Sequence, residues 1–190
     1  MEQTKLTTLG YALLGLINES PRSGYDLHRL FVTTPIGRFS GSPGAVYPAL
    51  GRLKERGVIE GRDEGGAGAR RREVYRLTPT GRSALKVWLR EEISAGDVAR
   101  REDVLLLRFG FMERLLGRDE CAEFLERLAE LLAAHVSALE LFLSEHETTM
   151  PLHGRLAMRC GIMGYESQLR WAGIALEQVR VVGGVVETTR

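Results

Sequence analysis

The sequence predicts a mainly α-helical chain with one small β-hairpin in its first half, on three observations. Helical patterns punctuated by Ser-Pro and Thr-Pro pairs fill residues 5–56 and 79–93, and two strand-like runs around a glycine cluster lie between them. Charge divides the chain: residues 1–90 carry 15 Lys/Arg against 8 Asp/Glu, whereas residues 91–190 carry 11 against 17. Beyond residue 120, core-type residues recur at alternating intervals of four and three. The formal net charge of +1 therefore averages two unlike modules, a basic one suited to a polyanion and an acidic one. The expected organisation is a first domain over 1–93, a second helical domain over 94–182 and a tail over 183–190.

In chain order, Leu6, Leu9, Leu13, Leu14 and Ile17 fall on one helical face, so residues 5–18 form the first helix. Ser20-Pro21 stops it, since the residue before a proline is driven out of the helical region. Ser23 caps a second helix, Gly24–Val32, and 33–41 is a loop. A third helix runs over Pro43–Arg56, with Ser42 as N-cap, Val46, Leu50 and Leu53 on its inner face and Gly57 as its stop. Pro48 conflicts with that start: either the helix bends there, or its regular part begins later. Val58–Glu64 and Arg71–Leu77 are strands joined through Gly65-Gly66-Ala67-Gly68-Ala69, and Thr78-Pro79 opens a fourth helix reaching Ile93.

Three helices, a hairpin and a further helix make a winged helix-turn-helix. The major groove of a DNA duplex admits one α-helix, and the third helix is short, capped and preceded by a loop. Arg70, Arg71 and Arg72 beside the hairpin tip reach toward the flanking backbone or minor groove. Their side chains alternate along a strand, so they do not all face one way. The candidate DNA contacts are Ser42, Ala45, Tyr47, Arg52, Lys54, Arg70, Arg71 and Arg72, with Lys5 and Arg22 weaker. Gly44, Pro48, Gly51 and Glu55 occupy the centre of the exposed helix face and offer few donors, so backbone contact and shape dominate the expected recognition.

The stretches Leu13-Leu14-Gly15-Leu16, Ser23-Gly24-Tyr25-Asp26-Leu27, Ser42-Pro43-Gly44-Ala45-Val46-Tyr47-Pro48-Ala49-Leu50 and Val74-Tyr75-Arg76-Leu77-Thr78-Pro79-Thr80-Gly81 resemble the PadR family of bacterial transcriptional regulators over about residues 6–90. The resemblance extends to the Tyr-Pro pair in the recognition helix. It implies a homodimer whose winged-helix domains bind palindromic promoter DNA, joined by a helical C-terminal domain, in many cases a repressor released by a small molecule. It also marks Trp88, and with it Tyr11, as candidates for an effector pocket; the alternative for both is core packing.

In the second half, residues 100–116 read as a short buried helix, interrupted at Gly110 and ended by Gly117. Asp119 caps a helix over 120–146, whose Cys121, Leu125, Leu128, Leu132, His135, Leu139 and Phe142 form a heptad seam. Met150-Pro151 breaks it, and a last helix covers about 152–180 with Met163 among its apolar residues. The expected dimer interface is Leu125, Leu128, Leu132, His135, Leu139, Phe142 and Met163, with His135 as an interface histidine.

Other classes find no support. The first apolar run is too short to span a bilayer and lacks a small-residue cleavage site, so neither leader nor membrane contact is expected. Two cysteines read as reduced core thiols of a cytoplasmic protein. His146 and His153 lack a third ligand, the glycine cluster lacks the Lys-Ser/Thr of a P-loop, and no catalytic constellation appears. No metal, cofactor or enzymatic activity is expected. The competing reading is a winged-helix adaptor that binds protein instead of DNA.

Overall fold

The computed structural model describes residues 5–40, 42–64 and 72–184. The chain divides into two compact units, Met1–Glu91 and Glu92–Arg190.

In the first unit, α1 (Thr8–Glu19) begins three residues later than its apolar pattern suggests, because the Thr7 hydroxyl accepts from the Gly10 N–H at 3.2 Å and fixes the N-cap there. Ser23 caps α2 (Gly24–Thr33) as expected, accepting from the Asp26 N–H at 3.2 Å. The segment expected to be loop contains a 3-10 turn over Pro35–Phe39. A second 3-10 turn, Pro43–Ala45, precedes α3 (Val46–Glu55). That later start settles the Pro48 conflict. Proline sits in the first turn, where backbone N–H groups have no intrahelical partner to lose. It also displaces Ser42 from its expected role: Ser42 is extended and makes no capping hydrogen bond.

Gly57, at φ +66°, turns the chain out of α3 into β2 (Ile59–Glu64). β2 pairs antiparallel with β3 (Arg72–Leu77), and a two-residue strand, β1 (Arg22–Ser23), pairs with the other edge of β3, giving the order β1-β3-β2. The sequence reading missed β1, since so short a strand has no pattern of its own. The glycine cluster and Arg70 and Arg71 lie outside the described residues. Thr78 caps α4 (Pro79–Leu89), which ends at Arg90 instead of reaching Ile93. Leu13 and Leu14 of α1, Leu27 of α2, Leu50 of α3 and Leu85 of α4 are fully buried and make the core of this unit.

The second unit opens with α5 (Ala95–Arg100), a helix the sequence reading did not separate. A reciprocal capping box starts it: Ser94 Oγ accepts from the Asp97 N–H, and the Asp97 carboxylate accepts from the Ser94 N–H. The helix expected over 100–116 is fully broken at the Gly110 interruption into two, α6 (Glu102–Gly110) and α7 (Glu113–Leu116), ended by Gly117 at φ +86°. α8 (Arg118–His146) takes Gly117 as its N-cap residue, so Asp119 lies in the first turn near the positive end of the helix dipole and is not the cap.

α8 and α9 (Leu152–Gly184) form an antiparallel pair. His135 meets Tyr165 edge-on at 4.5 Å, and Arg180 pairs with Glu126. Here the heptad expectation needs correction. Leu125, Leu128 and Leu132 are covered by the chain's own helices, so they are intrachain core and not an exposed dimer seam. A straight helix also drifts about 20° per heptad against a seven-residue repeat. After three heptads the repeat has rotated off the buried face: Phe142 is 43% exposed, while its neighbour Leu143 is 6% exposed and packs with Val136 and Ile162. His135 and Leu139 are half-buried. Cys121 is buried, but Cys160 is exposed, contrary to the expectation of two core thiols.

Candidate nucleic-acid interface

The outer surface of α3 and the sheet beside it carry the candidate site. α3 buries Val46, Ala49, Leu50 and Leu53 and leaves Tyr47, Pro48, Gly51, Arg52, Lys54 and Glu55 exposed. At about 100° per residue, Tyr47 and Lys54 share one flank and Arg52 stands on the other. Tyr47 is 52% exposed and stacks on His28 with centroids 5.7 Å apart. Its ring lies over Gly24, where a Cβ would stand 3.0 Å from Cε1, so glycine at the start of α2 makes room for it. Ser42 and Gly44 are exposed and Ala45 is half-buried at the entry to α3. Arg52 has no ion-pair partner among the described residues, so its guanidinium is free to meet an anion.

The described part of the wing is less basic than its sequence suggests. Arg62 pairs with Glu60 at 3.1 Å and Arg76 with Glu64 at 2.9 Å. Lys54 leans across to the wing, its Nζ 2.5 Å from Glu73 Oε1. Tyr75 donates to the other oxygen, Oε2, at 2.9 Å. The Lys54 hydrogen bond, then that from Tyr75, holds the Glu73 carboxyl below the usual range. Burial first, then the bond to Glu73, pushes the Tyr75 phenol up to about 12. Arg72 is exposed at the start of β3, and its charge helps keep the Asp26 carboxyl ionised, after the larger effect of the Ser23 hydroxyl. Of the expected contacts, the structure groups Ser42, Ala45, Tyr47, Arg52 and Lys54 on one helix and its approach, and Arg72 on the sheet. Glu73, Tyr75, Gly61 and His28 are the participants that reading the sequence alone missed. The alternation of Glu73 and Tyr75 puts them on one strand face, but nothing local says that this face meets Lys54.

Residues 13–87, from the middle of α1 into α4, match the profile described as the transcriptional regulator PadR-like family. The winged-helix unit belongs to the PadR-like family of transcriptional regulators. Across 136 residues the chain is 27% identical to the negative transcriptional regulator PadR of Bacillus subtilis (strain 168), covering 71% of this chain and 72% of that one. Among solved structures, Bacillus subtilis PadR in complex with operator DNA is 22% identical, with a TM-score of 0.42 over 90% of this chain and 98% of that one. A PadR-like transcriptional regulator from Bacillus cereus is 21% identical, with a TM-score of 0.43 over 94% and 99%. The PadR-like family is one of regulators, not of enzymes.

Trp88 and Tyr11 stack face to face at 4.5 Å with planes 2° apart, both buried, so they pack against each other. A groove of about 350 Å³ lies between α8 and α9, over Leu143, Ile162 and Met163 and rimmed by Glu140, Glu147, Arg159 and Glu166. No helix among the described residues is long and apolar enough to cross a membrane, and no group of three metal-ligating side chains occurs among them.

Proposed function

We propose that this PadR-like regulator is a homodimeric repressor that binds a two-fold symmetric site in duplex DNA. The observation that carries the reading is the exposed side of α3, which presents Tyr47 and Arg52 at the surface beside a three-stranded wing. Tyr47, Arg52, Ser42 and Ala45 meet the duplex in this reading, with at least one of Arg70, Arg71 and Arg72 on the flanking backbone; Lys54 stands apart, held by Glu73. A centre of Gly44, Pro48 and Gly51 lets the helix approach closely but supplies no bidentate base reader, so phosphate contacts and groove shape dominate. Similarity to a negative regulator supports repression.

The exposed face of α9 supports pairing with a second copy. Leu152, Leu156, Met163, Ile174 and Val181 of α9 are all exposed, and at about 100° per residue they fall within one band about 40° wide. That band lies on the side of α9 away from its buried Ile162 and Ala172. The band, interrupted at exposed Arg170, is left uncovered by α8 and offers a surface to a second copy. Release by a small molecule belongs to the same reading. The groove beside Leu143 and Ile162 has the volume of a ligand site, and the Tyr11 and Trp88 rings pack on each other.

The test is affinity for the protein's own upstream region against a random duplex as salt rises. The reading predicts a steep negative salt dependence and a clear preference for the upstream region. Equal affinity for both, or a flat salt response, would sink it.

A further inference from the structure

We propose that Glu73 is a specificity-determining residue that keeps the Lys54 ammonium off the DNA backbone. The inference rests on the DNA-binding reading and concerns what the exposed flank of α3 offers a duplex.

Three independent features build the arrangement. The carboxylate is held at both oxygens, by Lys54 at 2.5 Å and by the Tyr75 hydroxyl at 2.9 Å. Its path is also prepared. Glu73 sits opposite Asp63 and its neighbour Tyr75 sits opposite Gly61, so the Glu73 side chain runs diagonally over Gly61 to reach α3. A Cβ at Gly61 would overlap the carboxylate, standing 2.6 Å from Cδ and 2.7 Å from Cγ. Glycine there leaves the gap the side chain uses. Third, Lys54 lies on the same flank of α3 as Tyr47, two turns further along, and Tyr47 is close enough to influence the Tyr75 phenol. Tyr47, Tyr75, Glu73 and Lys54 therefore form one row from the start of α3 to its end, on the wing side.

A cation in that row would serve a phosphate well, and a phosphate contact carries no sequence information. Such contacts supply nearly all non-specific affinity. With Glu73 in place, the Lys54 charge is neutralised locally and a carboxylate stands where a phosphate would come. The loss falls on every duplex alike, while contacts that depend on groove shape and base edges through Tyr47 and Arg52 are kept. The ratio of specific to non-specific binding rises, by an unfavourable element and not by a new contact. An exposed ion pair contributes little to stability, so holding the fold together is a poor account of so constrained a geometry.

The experiment uses the full chain and two duplexes, a site selected from genomic fragments and a random sequence, with affinity measured across a salt series. Glu73→Gln keeps the length of the side chain and an oxygen for Tyr75 but releases Lys54. Its salt slope on random duplex should steepen by about 0.9, and its affinity there should rise about fivefold near physiological salt, with a smaller gain on the selected site. Gly61→Ala, which displaces the carboxylate without changing any charge, should move both quantities in the same direction. Lys54→Met should leave the slope of the unaltered protein unchanged, and Glu73→Gln with Lys54→Met should return to it. A slope that becomes shallower by about one in Lys54→Met alone means Lys54 already grips phosphate and overturns the proposal. So does a Glu73→Gln protein that melts like the parent and shows no change in slope. If the unaltered protein binds no duplex in a salt-dependent way, the DNA-binding reading itself fails, a result distinct from either of these.

Discussion

Gly81→Ala and Gly51→Ala are the same chemical change in two helices of one unit, and the structure predicts opposite signs for them. Gly51 lies in α3 with nothing within 4 Å of where its Cβ would stand, so alanine gains up to about 1 kcal/mol of helix propensity at no steric cost. Gly81 lies in the first turn of α4 against the Val58 carbonyl. A Cβ there would overlap the carbonyl oxygen and stand 2.8 Å from the carbonyl carbon and 3.2 Å from Cα. These are backbone atoms and cannot swing aside. They are also tied to the start of α4, since the Thr78 N–H donates to Val58 O at 3.2 Å and the Thr78 hydroxyl to Gly57 O at 2.7 Å. Restoring ordinary contact means lifting the helix by about an ångström, and that helix carries the buried Leu85, Trp88 and Leu89. Overpacking costs about 1–3 kcal/mol, and the upper end applies where the obstacle is backbone. Set against at most about 1 kcal/mol of propensity, the net loss is about 2 kcal/mol. In a unit of this size that lowers the melting temperature by about 10 °C, while Gly51→Ala raises it by a few degrees. Thermal unfolding followed by Trp88 fluorescence in a Trp171→Phe background isolates this unit. A Gly81→Ala protein that melts at or above the parent would refute the steric argument, and so would a shift of equal sign and size at both positions.

Ser23→Ala removes the α2 cap and should cost about 1 kcal/mol at neutral pH, read from urea midpoints. The Ser23 hydroxyl also lowers the Asp26 carboxyl, so that part of the stability is present above the ordinary aspartate range and lost as pH falls through the lowered value; the variant's deficit should shrink on acidification, and a deficit constant with pH would contradict it. Burial, then Glu113 and Glu120, pushes the Cys121 thiol up to about 11, whereas Cys160 is exposed. Maleimide at neutral pH should therefore label Cys160 and spare Cys121 until the chain unfolds, and mass spectrometry of native protein showing Cys121 labelled first would reverse that order. Met163→Glu places a charge in the middle of the exposed α9 stripe and should convert a sedimenting dimer to monomer with an unchanged circular dichroism spectrum; a dimer of undiminished strength would move the interface elsewhere.

Local chemistry made much of this fold legible. Ser23 and Thr78 cap the helices their sequence contexts indicate, and Gly57 and Gly117 end helices at positive φ. What escaped reading is what tertiary contact decides. β1 exists only because β3 supplies it with an edge, far along the chain. The heptad over Cys121–Phe142 is real as a pattern but not as an exposed seam, because a straight α8 drifts away from its own repeat and buries Leu143 in place of Phe142. Tyr11 and Trp88 carry no local sign that they would stack on each other. At the candidate interface the basic residues were visible but not their engagement: Lys54 looks free in the sequence, and only the crossing of Glu73 over Gly61 shows what holds it.

Ser23 belongs to two elements at once, the last residue of β1 and the cap of α2. Its backbone pairs with Val74 in the central strand while its side chain satisfies the first turn of the helix. The outer edge of the sheet and the start of α2 are therefore coupled through a single residue. In hydrogen-exchange terms, the first-turn amides of α2 and the β1-facing amides of β3 should lose protection together, as one opening unit, although the chain makes them far apart in time. The root of the wing is thereby fastened to the start of α2.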